Sequence, residues 1–205
     1  MPESITESID FYFDFSSPYS YLLSEKIDDL TARFGRSVRW RPILLGAVFK
    51  ASGSAPLTLQ FAPKASYSVL DFQRSARFMG VPYRHPDVFP IASQYAARAL
   101  YWLDEQQPAA ARPFAHAVFR ALFVDNTDIS ALATVLEIAT RCGVDREPLA
   151  VAVQSPAMKA RLKDEVDAAI AGGIFGAPYL LIDGQPFFGA DRLPQIEHWL
   201  ETGGF

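Results

Sequence analysis

The segment Asp14-Phe-Ser-Ser-Pro-Tyr-Ser-Tyr21 places hydroxyl groups between an aromatic strand pattern and the first residues of a helix. A helix N-terminus carries unpaired backbone N–H groups and the positive end of the helix dipole, so it favours a bound anion or a thiolate. Ser17 precedes Pro18, which suits the first helical position. The simpler alternative is that Ser16 or Ser17 only caps the helix, and this segment alone favours that alternative.

Two later segments could complete a site with Ser17. Phe175-Gly-Ala-Pro178 directly precedes a strand, and a proline there can be cis, which points the neighbouring N–H and C=O outward. An ordinary trans proline is the commoner alternative. Gly189-Ala190-Asp191 precedes the last helix, where Asp191 either caps that helix or holds the ammonium group of a ligand.

Several well-known catalytic signatures do not occur in the sequence. There is no phosphate-binding glycine loop and no Gly-x-Ser-x-Gly elbow. The histidines His85, His116 and His198 are far apart in the sequence, and Cys142 is the single cysteine. We therefore predict no metal site, no nucleotide hydrolysis and no Ser/His/Asp triad.

The composition is that of a globular, water-soluble chain. Half of the 205 residues are hydrophobic, which predicts one large domain, or one with an insert, that needs no disulfide. The net charge of −4 without a Lys/Arg run argues against nucleic acid or a membrane as partner, and no apolar run approaches the ~18 residues of a bilayer span. Residues 1–10 lack the features of a secretory signal. Together with the lone cysteine, this predicts a cytoplasmic protein.

The hydrophobic pattern predicts strands at the two ends of the chain and helices between them. A strand at 9–15, a helix from 18 to about 30 and a strand at 38–45 form a βαβ unit. After a loop near 52–56, residues 66–172 show helical periodicity only, with helices at about 66–80, 95–103, 113–123, 130–142 and 156–170. A hairpin of 179–182 and 185–188, with a type I′ turn at Asp183-Gly184, precedes a final helix that runs to about 200.

This order predicts an α/β fold in which the two chain ends pack together. We assign residues 1–63 and 173–205 to one discontinuous domain, βαβ…ββα, and residues 64–172 to an all-helical insertion.

The order βαβ…ββα resembles the thioredoxin superfamily, in the arrangement of DsbA-type oxidoreductases and kappa-class glutathione transferases. Redox members carry a Cys-Pro-x-Cys tetrad at the first helix, where this chain reads Ser17-Pro-Tyr-Ser20. Dithiol–disulfide exchange needs two cysteines there, so that activity is excluded.

The chain is more specifically similar to 2-hydroxychromene-2-carboxylate isomerases and their kappa-class relatives. The matching segments extend over nearly the whole chain: Phe11–Tyr21, Arg41–Leu45 with Lys50 and Gly53, Pro63-Lys64, Phe89-Pro90, Phe175–Pro178 and Gly189–Leu193. Ser54 and Ser93 stand where these relatives often have Asn. These two differences affect the expected identity of the substrate more than the expected glutathione site.

The resemblance implies a glutathione site. Ser17 is then the catalytic residue that stabilises the glutathione thiolate. The segment Gly176-Ala177-Pro178 pairs its backbone with the cysteinyl part. Ala190 and Asp191 hold the γ-glutamyl end, and Lys64 pairs with a glutathione carboxylate.

The implied activity is a glutathione-dependent cis–trans isomerisation of 2-hydroxychromene-2-carboxylate or a related intermediate of aromatic catabolism. Reversible addition of the thiolate to a conjugated double bond permits rotation, so glutathione is a cofactor that is not consumed. Kappa-class relatives also imply a homodimer. Candidate pocket aromatics are Phe49, Phe61, Phe89 and Trp102, with plain core as their alternative, and Arg98 could meet the carboxylate of a small aromatic substrate unless it is a surface arginine.

Two other functions stay open at this point. The first is a kappa-class glutathione transferase that conjugates or reduces other electrophiles, with the same glutathione site. The second is a non-catalytic thioredoxin-fold binding or chaperone module, in which Ser17 has no catalytic role. Cys142 would suggest monothiol redox chemistry only if it were exposed with a low pKa, and its helical setting predicts a buried structural cysteine instead.

Overall fold

The computed structural model describes residues 9–205, and in that range it contains one four-stranded sheet and nine α-helices. The expectation that the chain start carries no secretory signal concerns mainly residues 1–8, which lie outside the described residues. The strands are β1 (Ile9–Phe13), β2 (Val38–Pro42), β3 (Tyr179–Ile182) and β4 (Gln185–Phe188). The helices are α1 (Pro18–Ala32), α2 (Leu45–Ser52), α3 (Ala62–Met79), α4 (Gln94–Gln106), α5 (Pro108–Phe123), α6 (Leu132–Arg141), α7 (Arg146–Gln154), α8 (Pro156–Ala171) and α9 (Leu193–Thr202).

The sheet is built from both ends of the chain in the order β2-β1-β3-β4. Strand β1 is parallel to β2, with Phe11 opposite Trp40, and antiparallel to β3, with Phe11 opposite Leu180. Strands β3 and β4 form the predicted hairpin, and both turn residues, Asp183 and Gly184, have positive φ, as a type I′ turn requires. The predicted order βαβ…ββα is confirmed.

The alternation of β1 explains why the sheet is covered on both faces. Ile9, Phe11 and Phe13 are fully buried on one face, in the larger apolar cluster, which also receives α1, α5 and α9. Tyr12 points to the opposite face and packs on a second apolar cluster, formed largely by α4 and α8. A sheet buried on both faces fixes the carboxyl end of β1, where α1 begins.

The second strand is shorter than predicted. It ends at Pro42 and not at Leu45, since proline cannot donate to the next ladder position. The chain turns instead into α2, and the side chain of Asp14 accepts the Leu45 N–H at 2.7 Å, which caps a helix that the sequence analysis missed. The predicted 52–56 loop therefore follows a helix and not a strand, and its first residue, Ser52, is the last residue of that helix.

The helical block differs from its prediction in three places. Helix α5 begins at Pro108 and continues through Pro113, which was predicted to start it, because Pro108 already suits the first helical position. Helix α7 was missed. Helix α6 begins after Ala131, since the Ser130 hydroxyl donates to Asp128 and does not cap the helix.

Other predicted helix ends agree with the structure. Ser155 caps α8 by accepting the Met158 N–H, and Gly143 has the positive φ expected just beyond α6. The sheet contains only segments from the two chain ends, with α3 to α8 between them, while domain boundaries at 63/64 and 172/173 stay a prediction. In the described range, no helix is both long and apolar enough to cross a membrane.

A group of charged side chains joins α5 to α1. His116 lies 3.3 Å from the Glu25 carboxylate and 3.9 Å from Asp28, and Arg112 and Arg120 pair with the same two acids at 2.5 Å each. Burial by itself lowers the pKa of His116, but the hydrogen bonds and charges of Asp28 and Glu25 outweigh it and raise that pKa to about 9. His116 is therefore charged at neutral pH.

We expect the free energy of unfolding to fall as the pH rises from 6.5 to 9. The pKa of His116 is raised in the folded state, so its stabilisation is complete below the unfolded value near 6.5 and is lost through about 9. After allowance for solvent screening, the loss should be about 1–2 kcal/mol. Urea unfolding across this pH range should show a flatter dependence for His116→Gln, while His198→Gln, at an exposed position, should keep the native slope. Equal slopes for all three proteins would contradict this assignment.

Candidate active site

Ser17 is the N-cap of α1 and is only 4% exposed. Its hydroxyl oxygen accepts the N–H of Ser20 at 3.2 Å, and its hydroxyl donates to the carbonyl of Ala177 at 3.3 Å. Pro18 occupies the first helical position, as predicted. Ser17 therefore caps the helix and at the same time contacts the segment that precedes β3, so capping and a role in the site do not exclude each other.

The first turn of α1 retains one unused backbone donor. Pro18 has no N–H, the Ser20 N–H is taken by the Ser17 side chain, and the Tyr21 N–H is taken by the Ser17 carbonyl. The Tyr19 N–H has no acceptor among residues 9–205. A free N–H beside a hydroxyl at the positive end of a 15-residue helix favours an anionic ligand atom.

The segment opposite Ser17 contains a cis peptide bond between Ala177 and Pro178, as the sequence analysis considered. The Ala177 N–H has no acceptor in the described part of the chain, and the Pro178 carbonyl accepts the Gly189 N–H at 3.1 Å. At Gly176 a Cβ atom would lie 2.7 Å from the ring of Phe188, so glycine allows that ring to cover the segment. Ala177 thus carries a backbone donor that no described residue uses.

Asp191 lies in a 3₁₀ turn, Ala190–Arg192, and makes no capping bond to α9. Its side chain is 70% exposed and pairs with Arg192 at 2.5 Å. The hydrogen bond from Arg192 lowers the pKa of Asp191, which keeps it ionised at neutral pH. The capping alternative is therefore wrong, and an exposed carboxylate is available for a cation.

Asp14 is the buried carboxylate that organises the turn before Ser17. One oxygen accepts the Ser16 N–H at 2.8 Å and the Ser93 hydroxyl at 2.6 Å, and the other accepts the Leu45 N–H at 2.7 Å. Burial raises the pKa of Asp14, although these three donors oppose that rise. A further hydrogen bond, in which the Ile91 N–H donates to the Ser16 hydroxyl oxygen at 3.1 Å, fixes the 89–93 loop to this turn.

One cavity of about 1520 Å³ brings all the predicted site residues together. It lies between the N-terminus of α1, helix α3, the segment before β3 and the 3₁₀ turn. The predicted residues that line it are Ser17, Lys64, Gly176, Ala177, Pro178, Ala190 and Asp191. The structure therefore gathers these residues around one cavity, while their roles as site residues stay predictions.

The aromatic and cationic candidates agree only partly with this cavity. Phe49 and Phe89 line it, but Phe61 and Trp102 do not. Arg98 does not line it either; its guanidinium lies over the ring of Tyr95, and burial lowers its pKa. Ser54 and Ser93, the two departures from the family pattern, both belong to the lining.

Two features of the cavity were missed. Residues Tyr67, Arg74 and Phe78 of α3 also line it, and their helical spacing was the available signal. The Phe89–Pro90 bond is cis, and nothing in the residue types indicated it. Cys142 lies away from this lining; it is partly exposed and not buried as predicted, and burial raises its pKa.

Comparisons with known proteins agree with this architecture. A model of the DSBA-like thioredoxin domain family matches residues 8–201. The 2-hydroxychromene-2-carboxylate isomerase of Sphingobium xenophagum is 34% identical over 197 residues, which cover 96% of this chain and 99% of that protein. Glutathione S-transferase kappa 1 of Homo sapiens is 26% identical over 208 residues, covering 96% and 92% of the two chains. A solved structure of a 2-hydroxychromene-2-carboxylate isomerase, 27% identical, superposes with a TM-score of 0.85 over 95% of both chains.

The fold and site therefore define a protein of the DSBA-like thioredoxin class, with hydroxyls where the redox members carry thiols. Within that class the chain belongs to the 2-hydroxychromene-2-carboxylate isomerase family and is an enzyme of the isomerase type. The kappa-class glutathione transferases are its next relatives.

Asp14→Ala should destabilise the protein more than a substitution that removes any one of the hydrogen-bond donors to Asp14. The substitution leaves the Ser16 and Leu45 N–H groups and the Ser93 hydroxyl without an acceptor, at about 1–3 kcal/mol for each buried group. We expect a loss of about 3 kcal/mol or more in urea unfolding at pH 7. Ser93→Ala is the matched control, because it removes one donor and should cost about 1 kcal/mol. Similar losses in the two variants would show that Asp14 does not join these segments.

Proposed function

We propose that this chain is a glutathione-dependent cis–trans isomerase of 2-hydroxychromene-2-carboxylate or a related aromatic carboxylate. The observation that carries the proposal is that one cavity is lined by Ser17 and by two residues with unused backbone donors, Tyr19 at the N-terminus of α1 and Ala177 beside Ser17. The 2-hydroxychromene-2-carboxylate isomerases to which the chain is similar support the reaction type, and the kappa-class relatives support the cofactor.

The residues present fit glutathione. Its backbone can pair with the unused Ala177 N–H, and its ammonium group with the ionised, exposed Asp191 beside Ala190. Lys64, exposed on the first turn of α3, is a counter-ion for one of its carboxylates. The ammonium group and one of the two carboxylates of the tripeptide thus find an opposite charge, and its backbone finds a donor, around the same cavity.

The N-terminus of α1 lowers the pKa of a thiol bound there. A free thiol has a pKa near ~8.5, and helix N-termini and hydrogen-bond donors stabilise the thiolate. When bound, glutathione supplies a sulfur that adds reversibly to a conjugated double bond, so that rotation occurs with no net redox change. Ser17 and the Tyr19 N–H hold that sulfur in its anionic form.

The Ser17 hydroxyl can change partners when the cofactor binds. In this structure it donates to the Ala177 carbonyl at 3.3 Å, which is long for a bond between oxygens. Turning the hydroxyl toward a thiolate replaces this weak bond by a charge-assisted one. The released Ala177 carbonyl then becomes an acceptor for the cofactor backbone, next to the Ala177 N–H.

The size of the cavity supports a second ligand. Its volume of about 1520 Å³ exceeds the ~300–1,000 Å³ of a typical site for one small molecule. A small aromatic carboxylate therefore has room beside glutathione, with Phe49 and Phe89 in the lining.

A kappa-class transferase activity is the second candidate, because the chain is 28% and 29% identical to the two kappa transferases of Caenorhabditis elegans. The higher identity to the isomerases, up to 34%, favours isomerisation. A non-catalytic module is disfavoured by the same relatives.

Ser17→Ala should weaken the stabilisation of the thiolate and leave the fold intact. We expect the native protein to show saturable thiolate absorbance in a glutathione titration followed by ultraviolet difference spectra. In the variant, the pKa of the bound thiol should rise by about 1 unit or more, because one hydrogen bond to the charged sulfur is lost.

Ser20→Ala is the matched control for this titration. The Ser20 hydroxyl is fully buried and has no hydrogen-bond partner in the described chain, while its N–H is unchanged by the substitution. It should therefore behave like the native protein. No binding at millimolar glutathione would refute both enzyme proposals, and an unchanged thiol pKa in Ser17→Ala would refute the role of Ser17.

The isomerase and transferase activities differ in whether they consume the glutathione thiol. With 2-hydroxychromene-2-carboxylate and glutathione, we expect the substrate to isomerise while the total free thiol stays constant. The assay combines chromatography of the products with thiol titration at each time point. Loss of one thiol for each substrate consumed would identify a transferase instead.

We also propose that the protein is a cytoplasmic homodimer. The lone cysteine and the proposed need for reduced glutathione support the location. Large apolar side chains outside the cavity lining, Leu59, Phe61 and Leu70, are exposed on or near α3 and support self-association. Sedimentation equilibrium should give twice the 22.7 kDa mass of one chain, and a monomer at micromolar concentration would contradict the dimer.

A further inference from the structure

Helix α3 presents one charged and aromatic face to the cavity, which we call the α3 wall. At 100° per residue, its five main members lie within an arc of about 100°. They are Lys64, Tyr67, Asp71, Arg74 and Phe78, and all line the cavity that contains Ser17. Arg77 lies outside this arc and does not line the cavity.

Asp71 fixes the wall relative to the N-terminus of α1. Its carboxylate accepts the Tyr19 hydroxyl at 2.5 Å, and Tyr19 is two residues from Ser17. Ser75 also donates to Asp71, at 3.4 Å. The position of α3 along the cavity is thus set by Tyr19, which belongs to α1, the helix that Ser17 caps.

Arg74 is held only loosely by this network. Its guanidinium lies 3.7 Å from Asp71 Oδ1, which also accepts the Tyr67 hydroxyl at 3.5 Å, and its side chain is 55% exposed. Tyr19 and Ser75 both donate to the other oxygen, Oδ2. Of the other cations in the lining, Arg192 is paired with Asp191 at 2.5 Å. Arg74 therefore keeps donors available for a further anion.

Lys64 and Arg74 lie at opposite ends of the α3 wall. They are ten residues apart on α3, which corresponds to about 15 Å along the helix axis. Two separate anionic groups can therefore be held on the wall, one at each cation.

The surroundings of the two cations differ in their apolar surface. Phe78 lies one turn beyond Arg74 and is 91% exposed, and Tyr67 lies two turns before it and is 58% exposed. A guanidinium one turn from the exposed Phe78 ring suits a planar ligand that combines an arene with a carboxylate, since the guanidinium pairs with the carboxylate and the ring covers the arene. Tyr67 lies about 16 Å from Phe78 along the helix axis, so it is too far away to share that arene.

We infer that Arg74 and Phe78 form the subsite for an aryl carboxylate substrate, in which Arg74 binds the carboxylate and the Phe78 ring contacts the arene. Lys64, at the other end of the wall, is left to the cofactor. The inference rests on the proposed function for the identity of the second ligand. It replaces Arg98, the cation that the sequence analysis suggested for this carboxylate.

Calorimetric binding of trans-2-hydroxycinnamate to the whole protein without glutathione tests the inference, because no turnover is needed. The methyl ester of the same compound serves as the uncharged probe. Arg74→Gln should weaken binding of the carboxylate about tenfold or more and leave binding of the ester within twofold of the native value. Arg77→Gln, on the same helix but outside the wall, is the matched control and should bind both probes like the native protein.

The absence of glutathione from this measurement separates the inference from the proposed function. Failure of glutathione to bind the native protein would refute the proposed cofactor and leave the subsite standing. Lys64→Gln should weaken the carboxylate less than Arg74→Gln does. Four outcomes would overturn the inference. Arg74→Gln could bind the carboxylate as the native protein does, or it could weaken the ester as much as the carboxylate. Lys64→Gln could cause the larger loss, or the native protein could fail to bind the carboxylate at millimolar concentration.

Discussion

The position of the candidate site depends on one buried carboxylate. Asp14 accepts hydrogen bonds from the turn that precedes α1, from the first residue of α2 and from Ser93, segments separated by up to 79 residues in the chain. Burying a carboxylate is costly unless donors surround it, so these three bonds are coupled to one another. The Ser16 hydroxyl adds a fourth tie, to Ile91. As a result the end of β1, the start of α2 and the 89–93 loop meet at one point, and Ser17 is placed at its edge.

Local chemistry was predictable from the sequence where neighbouring residues determine it. Ser17-Pro18 indicated the start of α1, and Asp183-Gly184 indicated the hairpin turn, because a capping hydroxyl, a proline at the first helical position and residues that tolerate positive φ act within a few residues. The predicted glutathione residues came from resemblance, and the structure gathers them around one cavity.

What the sequence did not reveal depends on contacts between distant residues. Helix α2 was read as the end of a strand because its cap is supplied by Asp14, 31 residues earlier. Arg98 was a reasonable cation for a carboxylate by residue type, but the packing of α4 turns it toward Tyr95 and away from the cavity, whereas α3 directs Arg74 into the lining. Which face of a helix meets a cavity is decided by tertiary packing, and periodicity alone does not tell a core-facing stripe from a ligand-facing one.

The bond between Tyr19 and Asp71 has a consequence for the precision of the site. Tyr19 and Ser17 belong to the same first turn of α1, so a single rigid element sets both the hydroxyl position and the placement of the opposite wall. The distance between Ser17 and the α3 wall is therefore set by the regular geometry of α1 and not by the length or mobility of a loop. In the complex proposed above, the backbone of α1 therefore positions the cofactor and the substrate relative to each other.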